Sequence, residues 1–99
     1  DREAPIHYAA QKGSTTAVIM LLQAGVNVAV QTGLEQTALH IAAKEGHIKT
    51  VRYILENSAQ NLNLNTRDYW QKTPLQWAAE NGHEEILRLL IGAGYDIMA

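Results

Sequence analysis

Thr37–Gly46 reads TALHIAAKEG, and the same pattern stands twice more, as APIHYAAQKG over Ala4–Gly13 and TPLQWAAENG over Thr73–Gly82. The copies begin at residues 4, 37 and 73, so the offsets are 33 and 36 residues. Each block is followed by a second apolar segment, TTAVIMLLQAG, IKTVRYILENS and EEILRLLIGAG, in which apolar residues recur at helical rather than strand spacing. Each unit therefore reads as helix, turn, helix. Between units lie VNVAVQTGLEQ (Val26–Gln36) and LNLNTRDYWQK (Leu62–Lys72), alternating segments with polar turn residues that read as protruding hairpin-like connections.

Local chemistry supports that pattern. Thr37 and Thr73 are suited to cap the helices they precede, and Pro5 and Pro74 fall at the first helical position, where a missing N–H costs nothing. The alanine pairs 9/10, 42/43 and 78/79 stand where two helices must approach closely. Gly13, Gly46 and Gly82 close each first helix, where a left-handed residue lets the chain reverse.

The period, the TPLH-like helix starts and the GH dipeptides at 46–47 and 82–83 resemble the ankyrin-repeat family, over essentially the whole chain. The resemblance implies an all-α solenoid of stacked antiparallel helix pairs with short hairpin-like connections. One domain over 1–99 divides into repeats at about 1–31, 32–67 and 68–99, with helices near 5–12, 15–24, 38–45, 48–57, 74–81 and 84–92. The copies depart from the family pattern at Ala4 (for Thr), Ala38 (for Pro) and Gln76 (for His). NSAQN (Asn57–Asn61) lengthens the middle unit, a tolerable insertion because loop closure entropy grows slowly with length. Ile19 replaces the arginines at 52 and 88, on a face expected to meet water unless a neighbouring segment covers it.

Composition narrows the function classes. With 46% hydrophobic and 18% charged residues the chain suits one folded domain, and a formal charge of −2 from interspersed signs lacks the basic footprint of a nucleic-acid binder. The longest apolar runs, such as Ala17–Leu22, fall far short of a membrane helix, so no membrane insertion is expected. The absence of cysteine fits a reducing compartment, cytoplasm or nucleus. The start at Asp1 suggests a piece of something longer.

Catalysis finds no candidate residues in the pattern, so the chain is read as a non-enzyme without metal or cofactor. Of the four histidines, His7 and His40 hold the TPLH position and His47 and His83 the GH position, so a shared structural place accounts for all of them. No serine lies in a nucleophile elbow. Gly92–Gly94 follow a helix instead of joining a strand to a helix start, and Glu84 and Glu85 open a helix where carboxylates favour the dipole.

What remains is surface. In ankyrin arrays the finger tips and the ends of the first helices form a recognition strip; carried onto matching positions, it contains Gln11 and Lys12; Gly33, Leu34, Gln36, Lys44 and Glu45; and Tyr69, Trp70, Lys72, Glu80 and Asn81. The aromatics of RDYWQK would stand on a finger as contact residues or fold back to shield the adjacent finger, whereas Trp77, aligned with Tyr8 and Ile41, is expected to pack in the stack. The resemblance implies a module that binds a peptide or folded protein. The alternative is a structural segment of a longer array, in a channel or multidomain enzyme, whose face packs intramolecularly. Neither end looks like a polar cap: Leu87, Leu89, Leu90 and Ile91 close the chain and Ile6 and Tyr8 open it, so neighbouring ankyrin repeats are expected beside both.

Overall fold

The computed structural model describes residues 2–58 and 62–94. Helices α1 (Pro5–Lys12), α2 (Thr15–Gln23), α3 (Ala38–Glu45), α4 (Ile48–Ser58), α5 (Pro74–Glu80) and α6 (Glu84–Gly92) form three antiparallel pairs, and no strand is present among the described residues. The inner helices α1, α3 and α5 stack on one another in sequence, as do the outer helices α2, α4 and α6. The NSAQN segment begins inside α4, whose last residue is Ser58; Ala59–Asn61 lie outside the described residues, as does Asp1.

Short helices of 7–11 residues are marginal alone, so packing and caps must hold them. The core is a single cluster running the length of the stack, in which Ile6, Ala10, Val18, Leu39, Ala42, Ala43, Val51, Ile54, Ala78, Ile86 and Leu90 are all essentially inaccessible. Alanine at 42 and 43 permits α3 to lie against both neighbours. Its third-copy counterpart Ala79 is exposed, because no further described helix lies against it. Leu90, expected at the bare end, is instead in the core; Leu87 is half-buried and Ile91 47% exposed. Ile19 is half-buried.

The caps follow the sequence closely. Thr37 Oγ1 accepts from His40 N at 3.3 Å while His40 Nδ1 accepts from Thr37 N at 3.2 Å, and Thr73 and Gln76 reproduce the exchange at 3.2 and 2.8 Å. Ala4 has no side-chain oxygen, so α1 keeps only the return bond, from Ala4 N to His7 Nδ1 at 2.8 Å. Thr37→Ala, which reduces α3 to that condition, is expected to destabilise the chain by about 1 kcal/mol. Coincident denaturant midpoints for wild type and variant would show that Thr37 contributes nothing as a cap.

Two glycines do more than reverse the chain. Gly13 (φ 72°) and Gly46 (φ 84°) are left-handed, and a Cβ there would stand 2.5 Å from the His47 ring and 2.7 Å from the His83 ring. Each GH histidine thus lies across the glycine of the preceding copy and donates from Nε2 to a carbonyl beside it, His47 to Gln11 O at 2.8 Å and His83 to Lys44 O at 3.0 Å. The corresponding space at Gly82 is open among the described residues.

Candidate functional site

The connections leading into the second and third copies, the second and third fingers, are tight and share one design. Thr32 N donates to Gln36 O and Glu35 N to Thr32 O; 36 residues later Asp68 N donates to Lys72 O and Gln71 N to Asp68 O, all at 2.8–3.0 Å. This is a three-residue hairpin loop whose last residue is left-handed, and Glu35 (φ 62°) and Gln71 (φ 63°) take that conformation without being glycine. Side chains reinforce the loop: Gln31 reaches Glu35 O at 2.9 Å, as Arg67 reaches Gln71 O at 3.0 Å. The fingers are joined where Tyr69 N donates to Leu34 O at 2.9 Å.

The third finger is organised by Asp68, which is wholly buried. Its Oδ1 accepts from Trp70 N and Lys72 N, each at 3.0 Å, and its Oδ2 accepts from Gln36 Nε2 at 3.0 Å and Trp77 Nε1 at 2.6 Å. In the second finger Thr32 Oγ1 takes the two backbone bonds, from Leu34 N and Gln36 N, but has no second oxygen for a cross-link. Asp68 therefore ties its finger to the adjacent finger and to α5 together. Burial alone would push its carboxyl up; the hydrogen bonds from Gln36, Trp77 and Lys72 N, aided by the nearby His40, outweigh burial and leave it below its ordinary 3.8.

His40 lies behind this finger with no exposed surface, its Nε2 donating to Lys72 O at 3.1 Å. Burial lowers its pKa below the ordinary 6.5, more than the Asp68 charge and the carbonyls of Lys72 and Thr66 can raise it. The neutral ring accepts at Nδ1 from Thr37 N, a bond that a proton on Nδ1 would abolish. In the unfolded chain His40 binds a proton near pH 6.5, so stability is full above that value and declines as pH falls towards the lower folded-state pKa. His40→Gln, the arrangement already present at Gln76, is expected to flatten the decline between pH 7 and 5, followed by urea midpoints across that range. Parallel wild-type and variant profiles would remove His40 as the cause.

Aromatic rings spread outward from the Asp68 support. Trp70 meets Tyr69 edge-on at 5.5 Å and Trp77 edge-on at 6.0 Å between centroids, yet Tyr69 and Trp70 remain 63% and 47% exposed. The Tyr69 backbone amide joins it to the neighbouring finger, while most of its surface is open. Lys72 Nζ stands 4.3 Å from the Trp77 ring centre and 2.6 Å from Glu80 Oε1, and Lys44 Nζ approaches the same ring at 5.3 Å.

Two expectations need correction. Trp77 is half-buried instead of packed within the stack, and its indole Nε1 is directed to Asp68 of the finger. Its indole holds the finger to the helix. Gln36 is only 5% exposed and its Nε2 is committed to Asp68, so little of it is left on the outer surface of the strip. Gln11, Lys12, Leu34, Glu45, Tyr69, Trp70, Glu80 and Asn81 are exposed, with Lys44 and Lys72 half-buried among them; the Asn81 amide donates to Lys44 O at 3.0 Å. Asp68 was absent from the expected strip, although an Asp or Thr in register at the start of both fingers is itself a turn signal.

The histidines all serve the backbone. His7 accepts from Ala4 N and donates to Val30 O at 2.9 Å, completing the set with His40, His47 and His83. Among the described residues no cluster of three or more His, Asp or Glu side chains could hold a metal ion, and no helix is long and apolar enough to cross a membrane.

A stack of helix pairs with in-register caps, glycine stops and hairpin fingers defines a helical repeat protein. Residues 2–99 match the family described as ankyrin repeats, in three copies, and the chain belongs to that family. It is 34% identical over 90 residues to the human transient receptor potential cation channel subfamily A member 1, covering 91% of this chain and 8% of the channel. It is 40% identical over 84 residues to alpha-latrotoxin-Lhe1a of Latrodectus hesperus, covering 84% of this chain and 6% of the toxin. Against the probable E3 ubiquitin-protein ligase XBOS32 of Oryza sativa subsp. japonica it is 35% identical over 91 residues, which cover 91% of this chain and 18% of the ligase. Among solved structures, the human ASB11 ankyrin repeat domain superimposes with a TM-score of 0.86 at 30% identity, over 95% of this chain and 41% of that one. The chain thus spans less than a fifth of the length of these sequence relatives.

Proposed function

We propose that this chain is a protein-interaction module that binds a peptide or folded protein through its fingers and the adjoining ends of the first helices. The observation that carries the reading is the exposure of Trp70 and Tyr69 on a finger held rigid by Asp68. A large aromatic kept in water by a preorganised support costs little further entropy on binding, which is the property of an interface anchor. The net charge of −2 favours a protein over a nucleic-acid partner, and the expected setting is the cytoplasm or nucleus. Affinity capture from a cell lysate with wild type and Trp70→Ala side by side tests the reading; it fails if both capture the same proteins in equal amounts.

A second reading is favoured by the ends of the stack. Among the described residues Ala79 and the space over Gly82 are open where Ala43 and Gly46 are covered, and the relatives are far longer chains. On this reading the module is one segment of a longer array in a multidomain protein, with neighbouring ankyrin repeats beside it, and the face is occupied in cis. The two differ in one observable: the cis arrangement shields Trp70 from iodide quenching when flanking sequence is present, and the trans arrangement leaves it accessible.

A further inference from the structure

Between the second finger and the ends of α1 and α3 lies a hollow of about 190 Å³, lined in part by Glu3, Leu34, Gln36, Ile41, Lys44 and Glu45. A drug-sized ligand needs roughly 300–1,000 Å³, so the space suits one long side chain rather than a free small molecule. Leu34 and Ile41 supply an apolar stripe, while the polar lining is rich in acceptors. Glu3 and Glu45 are exposed and carry no ion pair among the described residues. Gln36 is 5% exposed, and its Nε2 bond to Asp68 fixes the amide so that Oε1 is the end left over; Oε1 takes no hydrogen bond among the described residues. Lys44, the cation on the lining, holds its ammonium over the Trp77 ring at 5.3 Å.

An occupant complementary to this lining has an apolar stem and several N–H donors at its tip. We propose that the hollow receives an arginine side chain of the partner protein, an inference that rests on the interaction reading above and gives the partner its chemistry. The stem lies along Leu34 and Ile41, and the guanidinium faces Glu3, Glu45 and Gln36 Oε1. Arginine suits the site better than lysine because its planar group offers five donors to acceptors arranged around it, and because it is more weakly hydrated. The residue next to the arginine then meets the finger tips, since Leu34 also joins the second finger to Tyr69 through the bond from Tyr69 N. Recognition of one basic and one apolar side chain, side by side, follows from that continuity.

The probe is N-acetyl-arginine amide, titrated into the isotope-labelled chain and followed by NMR, with N-acetyl-citrulline amide as the uncharged isostere and N-acetyl-lysine amide as the alternative cation. Expected are saturable shifts of the Gln36 side-chain amide and the Leu34 and Ile41 methyls, with citrulline and lysine at least about fivefold weaker, since charge-assisted bidentate hydrogen bonds are the stronger kind. Glu3→Gln with Glu45→Gln, both at exposed positions, should bring arginine down to the citrulline level, whereas Lys49→Gln, exposed on α4, should leave the arginine titration unchanged. Equal affinities for arginine and citrulline, lysine binding as well as arginine, an unaffected double variant, or no saturable shift would each overturn the assignment. None of these results bears on the Trp70 capture comparison, whose failure would in turn leave the titration readable.

Discussion

Asp68→Ala is expected to destabilise the chain by about 3 kcal/mol, a larger loss than any cap contributes. The reason is the number of donors that it leaves behind. Trp77 Nε1, Gln36 Nε2 and the amides of Trp70 and Lys72 all point at the carboxylate, and the bond from Gln36 Nε2 is buried. A buried donor without a partner costs roughly 1–3 kcal/mol; the half-exposed Trp77 recovers some of that from solvent, which keeps the total below the simple sum. Asp68→Thr separates the two functions of the residue. By analogy with Thr32 it retains an acceptor for the finger's own amides and loses the cross-links to Gln36 and α5, so about half the stability should return. Acid should mimic the alanine variant: the folded-state pKa is lowered, so this contribution is present above the ordinary 3.8 and lost as pH falls through the folded value. Urea midpoints measure the stability, and hydrogen exchange at Trp70 N and Lys72 N localises it. An alanine variant as stable as wild type would mean that water or Thr66 and Lys72 backbone groups replace the carboxylate, and the finger would no longer count as rigid.

The parts of the structure that were legible from sequence are those dictated by local chemistry. Thr37, Thr73, Pro5, Pro74 and the chain-reversing role of the three glycines act within one turn of chain, so these roles survive any tertiary arrangement, and the helix bounds agree to within a residue. Position across the stack was harder to read. Tyr8, Ile41 and Trp77 share one repeat position, yet Ile41 is buried, Tyr8 is 56% exposed and Trp77 is intermediate, because among the described residues only the middle copy has a helix pair on each side. Alignment alone assigns all three the same surroundings. Gln36 shows a related limit: the strip carries the family's recognition positions over by alignment, whereas the bond that holds Gln36 runs to Asp68, 32 residues away in the next finger. The register with Thr32 announces Asp68 as a turn residue, but its cross-links to Gln36 and Trp77 have no counterpart in the second finger and no periodic signal. A residue that departs from the repeat can be seen in the sequence as a departure, but its partners are set by folding.

Trp70→Ala is expected to weaken partner binding by about 2 kcal/mol, near thirtyfold in the dissociation constant, while lowering stability by no more than about 1 kcal/mol. The asymmetry follows from where the ring lies. Nearly half of its surface is open to a partner, and its contacts within the chain are edge-on meetings with Tyr69 and Trp77, interactions of roughly 0.5–1.5 kcal/mol that partly rearrange when the indole is removed. The backbone bond from Trp70 N to Asp68 survives the substitution, so the finger keeps its form and presents Tyr69 as before. Lys72 and Lys44 should behave differently, because charges at the rim change association rate and salt dependence more than the final affinity. Trp77→Ala is the opposing control. It removes the 2.6 Å bond to Asp68 and the ring on which both lysines rest, so it should cost stability, and its effect on binding should follow from a loosened finger. Affinity for the captured partner, by calorimetry, set beside thermal unfolding of the same variants, gives both axes. A Trp70→Ala chain that unfolds, or one that binds its partner as tightly as wild type, would make the exposed aromatics a cover for the turn and move the search for the anchor to Leu34 and the hollow beside it.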